Sequence, residues 1–125
     1  MALHDITIDY SQIHIKNLRL RTCIGLNTDE QTKLQDVVIS IRIDYDARAA
    51  ASEDAVEHAL NYRAITKGVI ALVEGNRFLL LEKLVFEVLR LVLTFDAVKR
   101  AAVEADKPHA LRFADSVSLT MTASQ

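Results

Sequence analysis

Glycine and proline are scarce in this sequence, with three glycines and one proline among 125 residues. So few glycines leave no room for a glycine-rich phosphate loop, a dinucleotide fingerprint or a nucleophile elbow. Each of those needs glycines at fixed offsets, where backbone must approach a ligand closely. Tryptophan is absent, and Cys23 is the single cysteine. One cysteine forms no internal disulfide and no Cys-x-x-Cys metal knuckle, which points to a reducing compartment. The four histidines, His4, His14, His58 and His109, have no ligand spacing, so no metal site is expected.

Charge of one sign is lacking too. The formal net charge is -2, and nucleic acid is excluded as the main partner because phosphate-backbone binding needs clustered Lys and Arg. The longest apolar stretch, FLLLEKLVFEVLRLVL, is interrupted by Glu82, Lys83, Glu87 and Arg90, so no membrane span is expected. The start, MALHDITIDYSQ, lacks the basic and apolar runs of a signal peptide. The expectation is a cytoplasmic protein.

What is present describes a globular chain. Half of the residues are hydrophobic and 26% are charged, in a length suited to one domain over residues 1–125. Two runs alternate with period two. In NLRLRTCIG, Leu18, Leu20, Thr22 and Ile24 share a face; in DVVISIRIDY, Val37, Ile39, Ile41, Ile43 and Tyr45 do. These read as half-buried antiparallel strands joined by a polar loop, LNTDEQTKLQ.

The period then lengthens. Ser52 is expected to cap a short helix with Glu53 and Asp54 in its first turn. Asn61 is expected to cap a second, with Ile65, Val69, Leu72 and Val73 on one face and Gly75 at its end. A third follows GNRF, with Leu81, Leu84, Val85, Val88, Leu91 and Val92 as its stripe. RAAVEADK and SVSLTMT close the chain as strands. Strand, strand, helices, strand, strand gives an α+β domain, with helices on one face of a four-stranded antiparallel sheet. Open edges and apolar residues on the second face, such as Val38 and Cys23, predict a homo-oligomer.

Several residues invite a chemical reading. Lys107 ends a strand in DKPHALRFADSV, where a lysine is ordinarily a solvated charge. To act as a base it would need its pKa drawn from about 10.4 toward roughly 7–8, by burial or a neighbouring cation. Glu82, in the first turn of the third helix, is ordinarily a dipole-stabilised surface carboxylate; it is also able to accept two parallel hydrogen bonds from a guanidine-like ligand edge. Tyr62 is ordinarily a packing residue, with a phenol able to move a proton. Glu30 lies in the polar loop.

Four separated segments, IGLNTDEQTKLQD, ALNYRAIT, EGNRFLLLEKL and DKPHALRFADSVSLTM, together resemble the dihydroneopterin aldolase family of pterin-binding tunnelling folds (T-folds) from about Ile13 to Met121. The resemblance implies that four subunits join their sheets into a barrel and that two rings stack as an octamer, with active sites at subunit boundaries. It implies that Glu82 anchors the pterin's amino-pyrimidinone edge, with backbone contacts from Leu81. Lys107 would be the catalytic lysine, Tyr62 a tyrosine supplied by the neighbouring subunit, and Glu30 a glutamate ordering the site. Neither cofactor nor metal is implied.

LRLRT, ALNYR, NRFLLLEKL and HALRFADSV look closer to the family's epimerase branch. The activity implied is inversion at C2′ of 7,8-dihydroneopterin triphosphate, with His109 and Arg112 placed along the phosphates and Arg63 and Lys33 as further candidates. The alternative is the aldolase reaction on dephosphorylated dihydroneopterin, and a third reading is a non-catalytic pterin-binding assembly protein.

Overall fold

A computed structural model describes residues 6–125; His4 lies outside them. The chain opens with β1 (Gln12–Ile24), a short α1 (Thr28–Thr32), β2 (Gln35–Asp44) and α2 (Arg48–Glu53). It continues with α3 (Tyr62–Glu74), β3 (Arg77–Phe78), α4 (Leu81–Val92), β4 (Arg100–Lys107) and β5 (Val117–Ser124). The sheet order is β3-β1-β2-β4-β5. The expected four strands pair antiparallel as predicted. A fifth, β3, adds a two-residue parallel pairing of Cys23 with Arg77 and Ile24 with Phe78, so the sheet is mixed. Two residues are too few to show any period, which is why GNRF reads only as a connection.

The core lies between the sheet and the helices. Val37, Ile39, Ile41 and Ile43 of β2 are fully buried, as are Ile65, Val69 and Val73 of α3 and Leu84, Val85, Val88 and Val92 of α4. Full burial of each such side chain stabilises the fold by about 1.5–3 kcal/mol. Leu119 and Met121 of β5 pack at the margin.

β1 begins five residues before the expected Asn17. A bulge between Ile15 and Leu18 shifts its register against β2. Asn17, at φ 53°, fills the left-handed position, and its N–H donates to Ser40 Oγ at 3.1 Å. The inserted residue moves the core-facing series from Ile13 and Ile15 to Leu18 and Leu20, and the alternation of the sequence breaks there.

Two local expectations are corrected. Ser52 does not cap a helix; it lies near the end of α2, and Asp54 closes that helix in the left-handed conformation with φ 51°. The alanines of RAAASE favour helix from Arg48 onward, and Asp46 Oδ1 accepts from the Arg48 N–H at 3.0 Å at the helix start. The polar loop also contains α1, which begins after Asn27. By contrast Asn61 does cap α3, its Oδ1 accepting from the Ala64 N–H at 3.1 Å, and Gly75 ends it.

Candidate active site

Alternation along β4 settles where Lys107 points. Ala101, Val103 and Ala105 are buried on the core face, and Lys107 continues that odd-numbered series at the strand's last residue. Glu104 and Asp106 fall on the opposite face. The lysine stem is therefore sheltered, with its side chain 15% exposed. At the strand end its amine reaches across to α1, where Nζ donates to Glu30 Oε2 at 2.7 Å.

Glu30 is held from two directions. Its Oε1 accepts from the Asn27 N–H at 3.2 Å, closing the start of α1. The Lys107 hydrogen bond, reinforced by the Asn27 backbone donor, holds the Glu30 carboxyl below its ordinary pKa of 4.5. The neighbour of Lys107 is thus an anion, where the sequence reading asks for burial or a neighbouring cation; the sheltered stem supplies only the first. The result is a fixed amine–carboxylate pair, able to pass a proton to or from a group placed beside it.

The remaining candidates lie on other elements. Leu81 and Glu82 open α4, with Leu81 half-buried and Glu82 exposed. Leu80, at the N-cap of that helix, has no side-chain oxygen to cap it. No side chain of the N-cap residue therefore bonds the first backbone N–H groups, and a carboxylate stands beside them. Tyr62 is the first residue of α3 and is 48% exposed. It borders an open depression of about 420 Å³ with Val56, Ala59, Leu60, Asn61 and Arg63. His109 and Arg112 are exposed in the turn after β4, the Arg112 guanidinium 5.5 Å from the ring of Phe113. Lys33 is exposed at the end of α1. Among the described residues no hydrogen bond joins Glu82, Tyr62, His109 or Arg112 to the Lys107–Glu30 pair.

A cavity of about 150 Å³ lies between Gln31 of α1 and Arg77, Phe78 and Leu79, with Cys23 on its wall. A larger depression, about 430 Å³, lies among Tyr10, Asp44, Asp46, Arg48 and Arg100. Arg100 and Lys107 are the two ends of β4, so at roughly 3.3 Å per residue that depression is some 20 Å from the pair. It is not part of this site.

Gly25 and Asn27 belong to the pair's surroundings and escaped the sequence reading. The spacing of Asn27 and Glu30, a capping residue followed three positions later by glutamate, was the available signal. The direct meeting of Glu30 with Lys107 has no local signal, because the two lie 77 positions apart; only the family resemblance puts both in one site.

The mixed-sheet α+β fold is shared with solved dihydroneopterin aldolase structures. The family model for dihydroneopterin aldolase matches residues 13–122. A dihydroneopterin triphosphate 2′-epimerase from Pseudomonas aeruginosa is 53% identical over 111 residues, 89% of this chain and 90% of that protein. A dihydroneopterin aldolase from Escherichia coli is 35% identical over 107 residues, 86% of this chain and 88% of that one. The crystal structure of E. coli dihydroneopterin aldolase in complex with neopterin superposes with a TM-score of 0.87 at 32% identity, covering 91% of this chain and 99% of that chain. The chain belongs to the dihydroneopterin aldolase family.

Proposed function

We propose that the chain inverts C2′ of 7,8-dihydroneopterin triphosphate, giving the monapterin epimer, by retro-aldol cleavage and re-addition. The fold does not choose between this reaction and the aldolase reaction, since both use it. The observation that carries the choice is the gap in identity, 53% to the Pseudomonas epimerase against 35% to the E. coli aldolase, over nearly the same span.

The substrate's ring carries an imine next to the side chain, and that C=N receives the electron pair when the C1′–C2′ bond breaks. No covalent lysine is then required as electron sink. The Lys107–Glu30 pair takes the proton of the C2′ hydroxyl as a unit: Lys107, directly or through a water, receives it as it gives the proton it shares with Glu30 to that carboxylate. The C2′ oxygen becomes an aldehyde, and C1′ becomes the end of an enamine. Glu82 and the backbone N–H groups at Leu81 hold the amino-pyrimidinone edge, so that the breaking bond stays aligned. Re-addition of the enamine to the other face of the aldehyde restores the bond with C2′ inverted, and the proton returns to oxygen. Protonation of the enamine by Tyr62, followed by loss of the aldehyde, is the aldolase outcome. His109 and Arg112, beyond Lys107, are the groups we assign to the triphosphate, which retains the fragment for re-addition.

The complete site, in this proposal, forms between subunits of an octamer built from two tetrameric rings in the cytoplasm. Supporting it, Glu82 and Tyr62 make no bond to the Lys107–Glu30 pair within the described residues. Leu79, Leu80, Leu111 and Phe113 also leave large apolar surfaces exposed, Phe113 at 95%. Among the described residues no helix is long and apolar enough to cross a membrane.

Incubation with dihydroneopterin, with and without its triphosphate, followed by separation of the products, tests the function. A diastereomer formed from the triphosphate is the expected result. Glycolaldehyde release as the main product would make the chain an aldolase, and unchanged substrate would make it a binding protein.

A further inference from the structure

We infer that Gly25 is a positioning residue for the Lys107–Glu30 pair, its missing side chain being the space that the Glu30 carboxylate occupies. The geometric part stands on packing alone; the catalytic consequence rests on the function proposed above. A Cβ built on Gly25 would lie 2.1 Å from Glu30 Oε1, 2.2 Å from Cδ and 2.6 Å from Oε2. Non-bonded heavy atoms settle at about 3.5–4.0 Å, so either the backbone at Gly25 or the carboxylate must move.

The backbone has little freedom to do so. The Gly25 N–H donates to the Phe78 carbonyl at 3.0 Å, tying the turn to β3. The preceding Ile24 carbonyl accepts from Gln35 Nε2 at 2.7 Å, and the Ile24 side chain is 1% exposed in the core. Glu30, in contrast, is the tip of a flexible side chain on a five-residue helix. The carboxylate is the part that yields, and as it swings away the Lys107 amine loses its acceptor. Neither Glu104 nor Asp106 replaces it, because alternation turns both to the other face of β4. Gly25 also has φ +137°, a conformation that disfavours any side chain. The carboxylate's occupancy is a second and separable demand on the same position.

The separation is made with four full-length proteins: wild type, Gly25→Ala, Glu30→Ala and the double variant. In the wild-type background, Gly25→Ala is expected to lower kcat on the triphosphate substrate by at least about tenfold, with KM within about twofold. In the Glu30→Ala background the same change is expected to cost less than about twofold in kcat, since coupled residues are non-additive. Thermal unfolding gives a readout independent of activity. Gly25→Ala should lower Tm more in the wild-type background than in the Glu30→Ala background, where the space is vacant, the remaining loss being backbone strain. If Gly25→Ala alone fails to fold, a folded double variant supports the inference and an unfolded one overturns it. Equal Tm losses in both backgrounds overturn it, as does unaltered kcat in a folded Gly25→Ala protein. A wild-type protein that turns over neither pterin would sink the proposed function, while the unfolding comparison would still decide the role of Gly25.

Discussion

The amine of Lys107 and the carboxylate of Glu30 meet at 2.7 Å although they lie 77 positions apart in the chain. A strand end and a five-residue helix deliver the two groups, and each is fixed by its own element. Lys107 is aimed by the pleat of β4, whose buried residues share its face, and Glu30 by the backbone N–H of Asn27. A lysine on a flexible loop would have to give up about 2 kcal/mol of rotamer entropy to take up such a position. Here the sheltered stem and the anchored partner have removed much of that freedom during folding.

If this amine takes the C2′ hydroxyl proton, Lys107→Ala is expected to lower turnover of dihydroneopterin triphosphate by about 10²–10⁴-fold, the usual range for a general base. Neopterin binding, followed by titration calorimetry, should survive, because the ring is assigned to Glu82 and the Leu81 backbone. Turnover within a few-fold of wild type would return Lys107 to the ordinary solvated charge.

The pair also sets a pH dependence of stability. The Glu30 carboxyl lies below its ordinary 4.5 because Lys107 and the Asn27 backbone bond its ionised form. Ionised Glu30 therefore favours the folded state. That contribution is complete above the ordinary value and is lost as pH falls through the lower folded value. The difference in urea midpoint between wild type and Glu30→Gln should be constant near neutrality and narrow as pH falls below 4.5, where wild-type Glu30 itself becomes uncharged. A difference that stays level into acid, or widens, would show that the ion pair does not stabilise the fold.

Much of this architecture is legible in the residues because two periodicities are clean. β2 keeps Val37, Ile39, Ile41 and Ile43 strictly alternate, and α4 keeps its apolar stripe through to Val92. The failures fall where a period cannot develop. β3 is two residues long, α1 has five residues and none buried, and the bulge at Asn17 interrupts the alternation of β1. The site divides in the same way. The strand-end place of Lys107 and the helix-start places of Glu82 and Tyr62 follow from local pattern. The contact of Lys107 with Glu30, and the crowding of Glu30 against Gly25, are products of tertiary packing and leave no local trace.

Arg112 offers the clearest discrimination between substrates. It lies in the turn just beyond Lys107 and is exposed, so its replacement should leave the core intact. Arg112→Ala is expected to raise KM for the triphosphate by roughly 10- to 150-fold, from the loss of one charge-assisted hydrogen bond of about 1.5–3 kcal/mol. The unphosphorylated pterin should be affected within about twofold. Equal losses with both substrates would take Arg112 out of the phosphate role.

Asn61 links stability to the aim of Tyr62. Its side chain caps α3 by accepting from the Ala64 N–H at 3.1 Å, and Tyr62 is the next residue, the first of the helix. Asn61→Ala should lower unfolding stability by about 1 kcal/mol, measured by urea titration, whereas Asn61→Asp, which keeps an acceptor at the cap, should retain most of it. Fraying at the first turn would also loosen the backbone that carries Tyr62. If the Tyr62 phenol protonates the enamine, glycolaldehyde release should fall in Asn61→Ala more than in Asn61→Asp, at a temperature where both are folded, while epimerisation should be less affected because re-addition needs no proton on carbon. Equal losses in the two products would mean that the cap supports the whole site and that Tyr62 has no separate part in the carbon protonation.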